Sequence, residues 1–127
     1  MKICIRIYLA MLLVQSIMSS AAADPPATSP FADFPQKVSE ILTNKCYTCH
    51  TTGSKAEKAW SAMDFNKWDG YKLTKKISLL TKICEVVEKG DMPPGKYLAQ
   101  HPDKALSDTD IETICNWTRK ESEKLIK

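Results

Sequence analysis

The chain has 127 residues, 26% of them charged, with 18 basic side chains against 15 acidic ones and five cysteines. Removal of a leader at residues 1–23 would take Lys2 and Arg6 with it, leaving 104 residues with 16 basic and 15 acidic side chains. A chain of that size can form one small domain but not a large core, and its near-neutral charge argues against a nucleic-acid-binding surface.

The first 23 residues have the pattern of a secretory signal peptide. Lys2 and Arg6 form a charged start, an apolar run follows, and Ala21 and Ala23 have the small-residue spacing of a cleavage site. The uninterrupted apolar run at 7–14 is shorter than the roughly 18 residues that a membrane-spanning helix needs. We therefore expect export to the periplasm, cleavage after Ala23 and no stable membrane insertion afterwards. Retention as an N-terminal anchor is the alternative.

A Pro-rich segment at 24–35 has no helical period and predicts a flexible, extended lead-in. The domain itself is expected at 36–127. Val38, Ile41 and Leu42 have helical spacing and predict a first helix that leads into residues 46–50. The next stretch, 51–71, predicts irregular structure with one short helix.

Two longer helices are predicted after residue 71. The first has an apolar stripe and ends at Gly90. The second begins at Ser107, with Asp110 completing a capping box. The predicted inner residues are Leu73, Ile77, Leu80, Cys84 and Val87 on the first helix, and Ile111, Ile114, Cys115, Thr118 and Leu125 on the second. No segment alternates with a period of two, so the predicted fold class is all-α.

The sequence "CYTCH" places Cys46, Cys49 and His50 three and four residues apart. On a helical turn these side chains share one face. C-x-x-C-H is the attachment signature of c-type haem, in which two thiols form thioethers with the porphyrin and the histidine binds iron. A dithiol redox site would need a βαβ setting, and a zinc site would need a fourth ligand, for which His101 is the nearest candidate. Haem is the favoured interpretation.

A second axial ligand to iron is expected in the Pro-rich loop "GDMPPGKY". Met92 lies there, 42 residues after His50, between Asp91 and Pro93. A His/Met pair raises the reduction potential and suits electron transfer. His101, Met63 and an open position are the alternatives to Met92.

The remaining cysteines and aromatic residues have structural and cofactor interpretations. Cys84 and Cys115 lie on the inner stripes of two helices, and export to an oxidising compartment favours a disulfide. Two buried thiols are the alternative. Cys4 would be lost with the leader. Trp117 is assigned to helix packing, and Trp68 or Tyr97 to the haem or its propionates.

Beyond "CYTCH", the strings "CEVVEKGDMPPGKYLAQHP" and "LSDTDIETICNW" resemble the monohaem c-type cytochromes. Within them, the chain is similar to a small bacterial haem-binding domain family over residues 38 to about 119. The resemblance implies a small cytochrome c-like helical domain wrapped around one covalent haem and its iron. The site residues that it implies are Cys46 and Cys49 for attachment, His50 as the proximal ligand and Met92 as the distal ligand.

The expected function is single-electron transfer by a periplasmic monomer that meets redox partner proteins and is not an enzyme. Lys45, Lys55 and Lys58 could steer an acidic partner, although an ordinary solvated surface is the preferred interpretation of these charges. The alternative function is a haem-based gas sensor or a peroxidase-like enzyme, either of which needs an open distal position. The sequence has no obvious distal acid–base pair for such an enzyme.

Overall fold

A computed structural model describes residues 30–127 of the chain. The predicted signal peptide and the first part of the Pro-rich lead-in lie outside these residues, so cleavage after Ala23 and export stay predictions. Within the described range, no helix is long and apolar enough to cross a membrane.

Residues 30–127 fold into five α-helices without a β-strand. The predicted all-α class is confirmed for this part of the chain, and the stretch at 51–71 contains one short α-helix as expected. The helices are α1 (Gln36–Lys45), α2 (Glu57–Ala62), α3 (Leu73–Glu88), α4 (Gly95–Leu98) and α5 (Asp108–Ile126), and two 3-10 turns lie at Phe65–Lys67 and Pro102–Lys104.

The most extensive contact between helices joins α3 to α5. Leu80 on α3 and Ile114 on α5 are both 0% exposed. Across the same contact, Cys84 and Cys115 form a disulfide, with their Cα atoms 4.9 Å apart. The predicted pairing of these two cysteines is therefore present, and α3 and α5 are joined covalently as well as by apolar packing.

The buried stripe of α3 differs from the predicted one at its first residue. Leu73 is 49% exposed, whereas Leu79 and Ile83 are 8% exposed and belong to the core. Helical side chains point back toward the N-terminus of their helix. Because Leu73 is the first residue of α3, its side chain has no preceding turn of that helix to pack against.

An aromatic cluster forms the core beneath α1 and α5. The ring centroids of Phe31 and Phe65 are 4.8 Å apart, and those of Phe34 and Trp117 are 4.9 Å apart. Trp68 lies against the rings of both Phe34 and Trp117. Trp117 is 5% exposed and has the predicted packing role.

The described end of the predicted flexible lead-in is packed into this core. Phe31 is 2% exposed, and its carbonyl accepts a 2.7 Å hydrogen bond from the Ser39 hydroxyl on α1. Two aromatic side chains bury enough apolar surface to fix a segment that lacks regular secondary structure. The prediction of a flexible lead-in is corrected for residues 31–34. It was based on proline content, which does not show that the neighbouring phenylalanine side chains are buried.

The N-terminus of α5 has the predicted capping box. The Ser107 hydroxyl accepts from the Asp110 amide at 3.1 Å, and the Asp110 carboxylate accepts from the Ser107 amide at 3.0 Å. Partial burial acts to raise the pKa of Asp110, but the hydrogen bonds from Ser107 hold that pKa below its ordinary value. The start of α5 is thereby fixed beside the loop that precedes it.

Candidate functional site

The residues from Cys46 to His50 form a helical turn directly after α1. The Cys46 amide donates to the Leu42 carbonyl at 3.0 Å, and the His50 amide donates to the Cys46 carbonyl at 3.1 Å. Side chains three and four residues apart on such a turn share a face. Cys46, Cys49 and His50 accordingly line one cavity.

Two cavities of about 290 and 390 Å³ lie beside this turn, and together they are called the cleft below. Cys46, His50, Val87 and Met92 line both cavities. The smaller cavity adds Cys49, Ala56, Ala59, Pro93, Pro94, Tyr97, Leu106 and Lys45. The larger one adds the α3 residues Lys75, Ser78, Leu79, Lys82, Ile83 and Val86, together with Leu42, Ala62, Met63, Phe65 and Ile114. Volumes of this size are typical of small-molecule sites.

His50 is oriented by the backbone of Met63. The His50 Nδ1 atom lies 3.0 Å from the Met63 carbonyl oxygen, and since a carbonyl can only accept, Nδ1 carries the proton. Nε2 then has its lone pair free to bind a metal ion. A hydrogen bond of this kind fixes the tautomer and ring orientation of a metal-binding histidine.

Residues 63–66, called the clamp segment below, hold the motif through further hydrogen bonds. The Phe65 amide donates to the His50 carbonyl at 3.0 Å. The Asp64 carboxylate accepts from the Thr52 amide at 3.2 Å and also from the Thr52 hydroxyl. His50 is therefore restrained at its ring, at its carbonyl and at the residue two positions later.

Asp64 is the centre of the clamp segment and is 1% exposed. Its carboxylate accepts from the Asn66 amide at 3.0 Å, and Lys67 Nζ lies 3.7 Å away. Burial acts to raise the pKa of Asp64, but the hydrogen bonds from Thr52 and Asn66 and the charge of Lys67 together hold the pKa below its ordinary value. The carboxylate is therefore ionised at neutral pH.

Asn66, also in the clamp segment, forms hydrogen bonds with two residues that flank Cys49 and His50. Its side-chain oxygen accepts from the Tyr47 hydroxyl at 2.6 Å, and its side-chain nitrogen donates to the Thr51 hydroxyl at 2.6 Å. Sequence reasoning did not identify Asp64 or Asn66 as site residues. The sequence around Asp64 indicates only a local role, because Asp64 caps the 3-10 turn at Phe65–Lys67. A capping aspartate does not show that its carboxylate is also buried against a segment distant in sequence.

Met92 is brought to the cleft by the end of α3. Gly90 has a φ of 72°, in the left-handed region that glycine adopts readily. The chain turns there, and the Asp91 and Met92 amides donate to the Val86 carbonyl at 2.9 and 3.2 Å. Pro93, next in the chain, is buried. This arrangement places Met92 in the lining of both cavities, together with His50.

The alternative ligands to Met92 have other positions. His101 is exposed, lines neither cavity and stacks on Tyr97, with 4.4 Å between ring centroids. Met63 does line the larger cavity. Its carbonyl accepts the hydrogen bond from His50 Nδ1, so Met63 has a role in orienting the histidine.

Tyr97 and Trp68, the two aromatic residues predicted to contact the cofactor, lie in different surroundings. Tyr97 lines the smaller cavity, and its amide donates to the Pro94 carbonyl at 2.9 Å. Trp68 is 5% exposed and lines neither cavity. Its contacts with Phe34, Phe65 and Trp117 make it part of the aromatic core, and its assignment to the cofactor stays a prediction.

The cysteine pair in the motif does not have the features of a dithiol redox site. Burial, followed by the charge of Cys49, raises the pKa of the Cys46 thiol to about 12. Reactive thiols have lowered pKa values instead. Among residues 30–127, one His, Cys, Asp and Glu grouping is close enough to share a metal ion, Cys84 with Glu88 and Cys115. Its two cysteines are joined in the disulfide, so they offer no thiolate ligand.

Comparison with known protein families identifies the class of this site. The model of the family described as Haem-binding domain matches residues 53–120. The matched span contains Asp64, Met92 and both disulfide cysteines and begins just after His50, so the C-x-x-C-H motif precedes it. No curated protein and no solved structure matches the chain. Because the family match covers more than half of the 127 residues, the chain belongs to the haem-binding domain family.

Proposed function

We propose that this chain is a periplasmic monohaem c-type cytochrome that carries single electrons. Cys46 and Cys49 would attach the haem, and His50 and Met92 would bind its iron. The observation that carries the proposal is that these four side chains, two of them separated by 42 residues of sequence, line one cavity. The surrounding alanine, valine, proline and leucine side chains fit the apolar faces of a porphyrin.

A bound haem would supply one-electron chemistry at iron. Each protein residue has a separate task in this proposal. The Met63 carbonyl keeps the His50 ring in its ligand orientation. The Met92 thioether is a soft ligand that stabilises ferrous iron and raises the reduction potential. Val87 and Leu106 line the cleft and limit the access of water to it.

The surface beside the motif supports a weak encounter with an acidic redox partner. Lys55 and Lys58 are exposed. Lys45 is partly buried, and its Nζ donates to the Asp103 carbonyl at 2.5 Å, so it ties the 3-10 turn at Pro102–Lys104 to α1. We assign steering to Lys55 and Lys58 and a structural role to Lys45. The chain would act as a monomer and without enzymatic activity of its own.

Covalent attachment is tested with protein matured by periplasmic haem-attachment machinery. We expect one haem per chain that survives acid–acetone extraction. The double variant Cys46→Ser and Cys49→Ser should release its haem under the same treatment. Extractable haem in the unsubstituted protein would contradict covalent attachment, while family membership predicts that haem is still bound.

Axial ligation is tested by the near-infrared charge-transfer band of methionine bound to ferric iron. We expect this band in the oxidised protein, its loss in Met92→Ala, and a fall in reduction potential because a ligand that favours ferrous iron is removed. Met63→Ala is the control and should keep the band.

A gas sensor or peroxidase-like enzyme is the competing function, and it requires an open distal position. The reduced protein with Met92 in place should bind carbon monoxide slowly, because the gas must displace the thioether, and Met92→Ala should bind it rapidly. Rapid binding by the unsubstituted protein would favour the sensor or enzyme.

A further inference from the structure

The larger cavity has polar residues at one edge, and all of them come from α3. Lys75, Ser78 and Lys82 line it, three and four residues apart, and therefore lie on one face of that helix. All three are exposed, so they lie where the cavity meets solvent. The linings of both cavities include lysines but no aspartate or glutamate. This edge of the cleft is therefore suited to an anionic group.

We propose that Lys75 and Lys82, with Ser78 between them, bind the two propionate carboxylates of the haem. This inference rests on the proposed covalent attachment, which fixes how the porphyrin lies. The vinyl groups that react with cysteine and the propionates occupy opposite edges of the molecule. Cys49 lines only the smaller cavity, whereas the three α3 residues line only the larger one. A porphyrin held by its vinyl edge at the motif thus has its carboxylate edge directed to α3.

The two lysines are available for this role. The Lys75 side chain makes no hydrogen bond or ion pair within residues 30–127. Lys82 pairs with Glu85 at 3.0 Å, and its side chain is 62% exposed. Glu85 also pairs with Lys89 at 2.6 Å, so it keeps a cationic partner when Lys82 turns toward the cleft. Lysine has a flexible stem that can lie along apolar surface while its ammonium group reaches a carboxylate.

The alternative polar groups of the cleft are less suited to bind two carboxylates. Lys45 is held by the Asp103 carbonyl. The Tyr97 ring is packed against His101 and lines the cavity that contains both cysteines. Lys75 and Lys82 are separated by about two helical turns, roughly 10 Å along the axis, and can approach two groups on one porphyrin edge from the same side.

The test uses haem-loaded protein and the double variant Lys75→Gln and Lys82→Gln. The matched control is Lys72→Gln and Lys76→Gln, which removes the same charge at the N-cap and in the first turn of α3, at two residues that line neither cavity. The propionate bending bands in the resonance Raman spectrum report on groups bound to the carboxylates. We expect these bands to shift in the first variant and to stay in place in the control.

The reduction potential gives a second measurement. Removing cationic charge close to the haem favours ferric iron, so the potential should fall in both variants and fall further in Lys75→Gln with Lys82→Gln. Unchanged bending bands together with equal potentials in the two variants would overturn the propionate assignment. With that result, the haem would still resist extraction, and the near-infrared charge-transfer band of bound methionine (the methionine band) would still be present. If the proposed function itself is wrong, one or both of these features would be absent from the unsubstituted protein.

Discussion

Between α3 and α5, apolar side chains at regular helical spacing meet along two long helices, and a disulfide joins Cys84 to Cys115. The motif turn and the clamp segment at 63–66 are short, and hydrogen bonds join them: the Met63 carbonyl accepts from His50, the Asp64 carboxylate accepts from Thr52, and the Asn66 side chain donates to Thr51. The first region is stabilised by burial and a covalent bond, both of which are local to two helices. The second depends on directional contacts that position one histidine.

This difference predicts that substitutions in the two regions will have different effects. Damage to the α3 and α5 contact should lower the free energy of unfolding while the ligands of the folded protein stay in place. Damage to the clamp segment should disturb His50 even where the global loss of stability is smaller. Stability and haem spectra therefore need to be measured on the same variants.

Leu80→Ala is expected to have the largest effect on stability. Leu80 is 0% exposed and lines neither cavity, and truncation of a buried leucine costs about 2 to 5 kcal/mol through lost burial and a residual cavity. Denaturant unfolding should show this loss, while the methionine band of the folded protein should be unchanged. Leu73→Ala, on the same helix but 49% exposed, is the control and should cost much less.

Removal of the disulfide by Cys84→Ala and Cys115→Ala should cost about 3.5 kcal/mol, because the bond closes a loop with a sequence separation of 31. Thiol labelling of the denatured, unreduced and haem-loaded mature protein should find no free cysteine. The Val86 carbonyl that holds Met92 lies two residues from Cys84, so the methionine band of the variant should be lost at a lower temperature. Two labelled thiols in the unsubstituted protein would contradict the disulfide.

Asp64→Asn should cost about 1 to 3 kcal/mol, because the NH₂ group that replaces Oδ2 cannot accept from the Thr52 hydroxyl, and the negative charge beside Lys67 is lost. The hyperfine-shifted resonances of His50 in the oxidised protein should move. Asp69→Asn is the control at an exposed carboxylate and should leave them in place. Unmoved His50 resonances in Asp64→Asn would show that the clamp segment does not determine the orientation of His50.

The same variant should alter the dependence of stability on pH. The pKa of Asp64 is lowered in the folded state, so its contribution is complete above the ordinary aspartate pKa of 3.8 and is lost as pH falls through the lowered value. The stability difference between Asp64→Asn and the unsubstituted protein should therefore be constant near neutrality and shrink at acidic pH. A difference that grew on acidification would contradict this sign.

Ser107→Ala should have the smallest of these effects. It removes the hydroxyl that accepts from the Asp110 amide at the start of α5, and loss of such a cap costs about 1 kcal/mol. The methionine band and the His50 resonances should not change. Ser122→Ala, on a later turn of the same helix, is the control for a serine that has no capping role.

Several features of the fold were predictable because they depend on residues close together in sequence. The spacing of Val38, Ile41 and Leu42 predicted α1, and Gly90 marked the end of α3. The positions of Cys84 and Cys115 on two apolar stripes favoured the disulfide that the structure contains. The exposed position of Leu73 was not predicted, because a periodic stripe does not show where a neighbouring helix stops covering it.

The sequence by itself determined the all-α class, the long helices and the motif that brings two cysteines and His50 to one face, because helical periodicity is a local property. Only the tertiary structure decided that Phe31 docks in the core, that Trp68 lies away from the cleft and that Asp64 is buried against Thr52. It also brought Lys75 and Lys82 to the cleft that contains His50. These outcomes depend on contacts between segments distant in sequence, which the local spacing of residue types does not record.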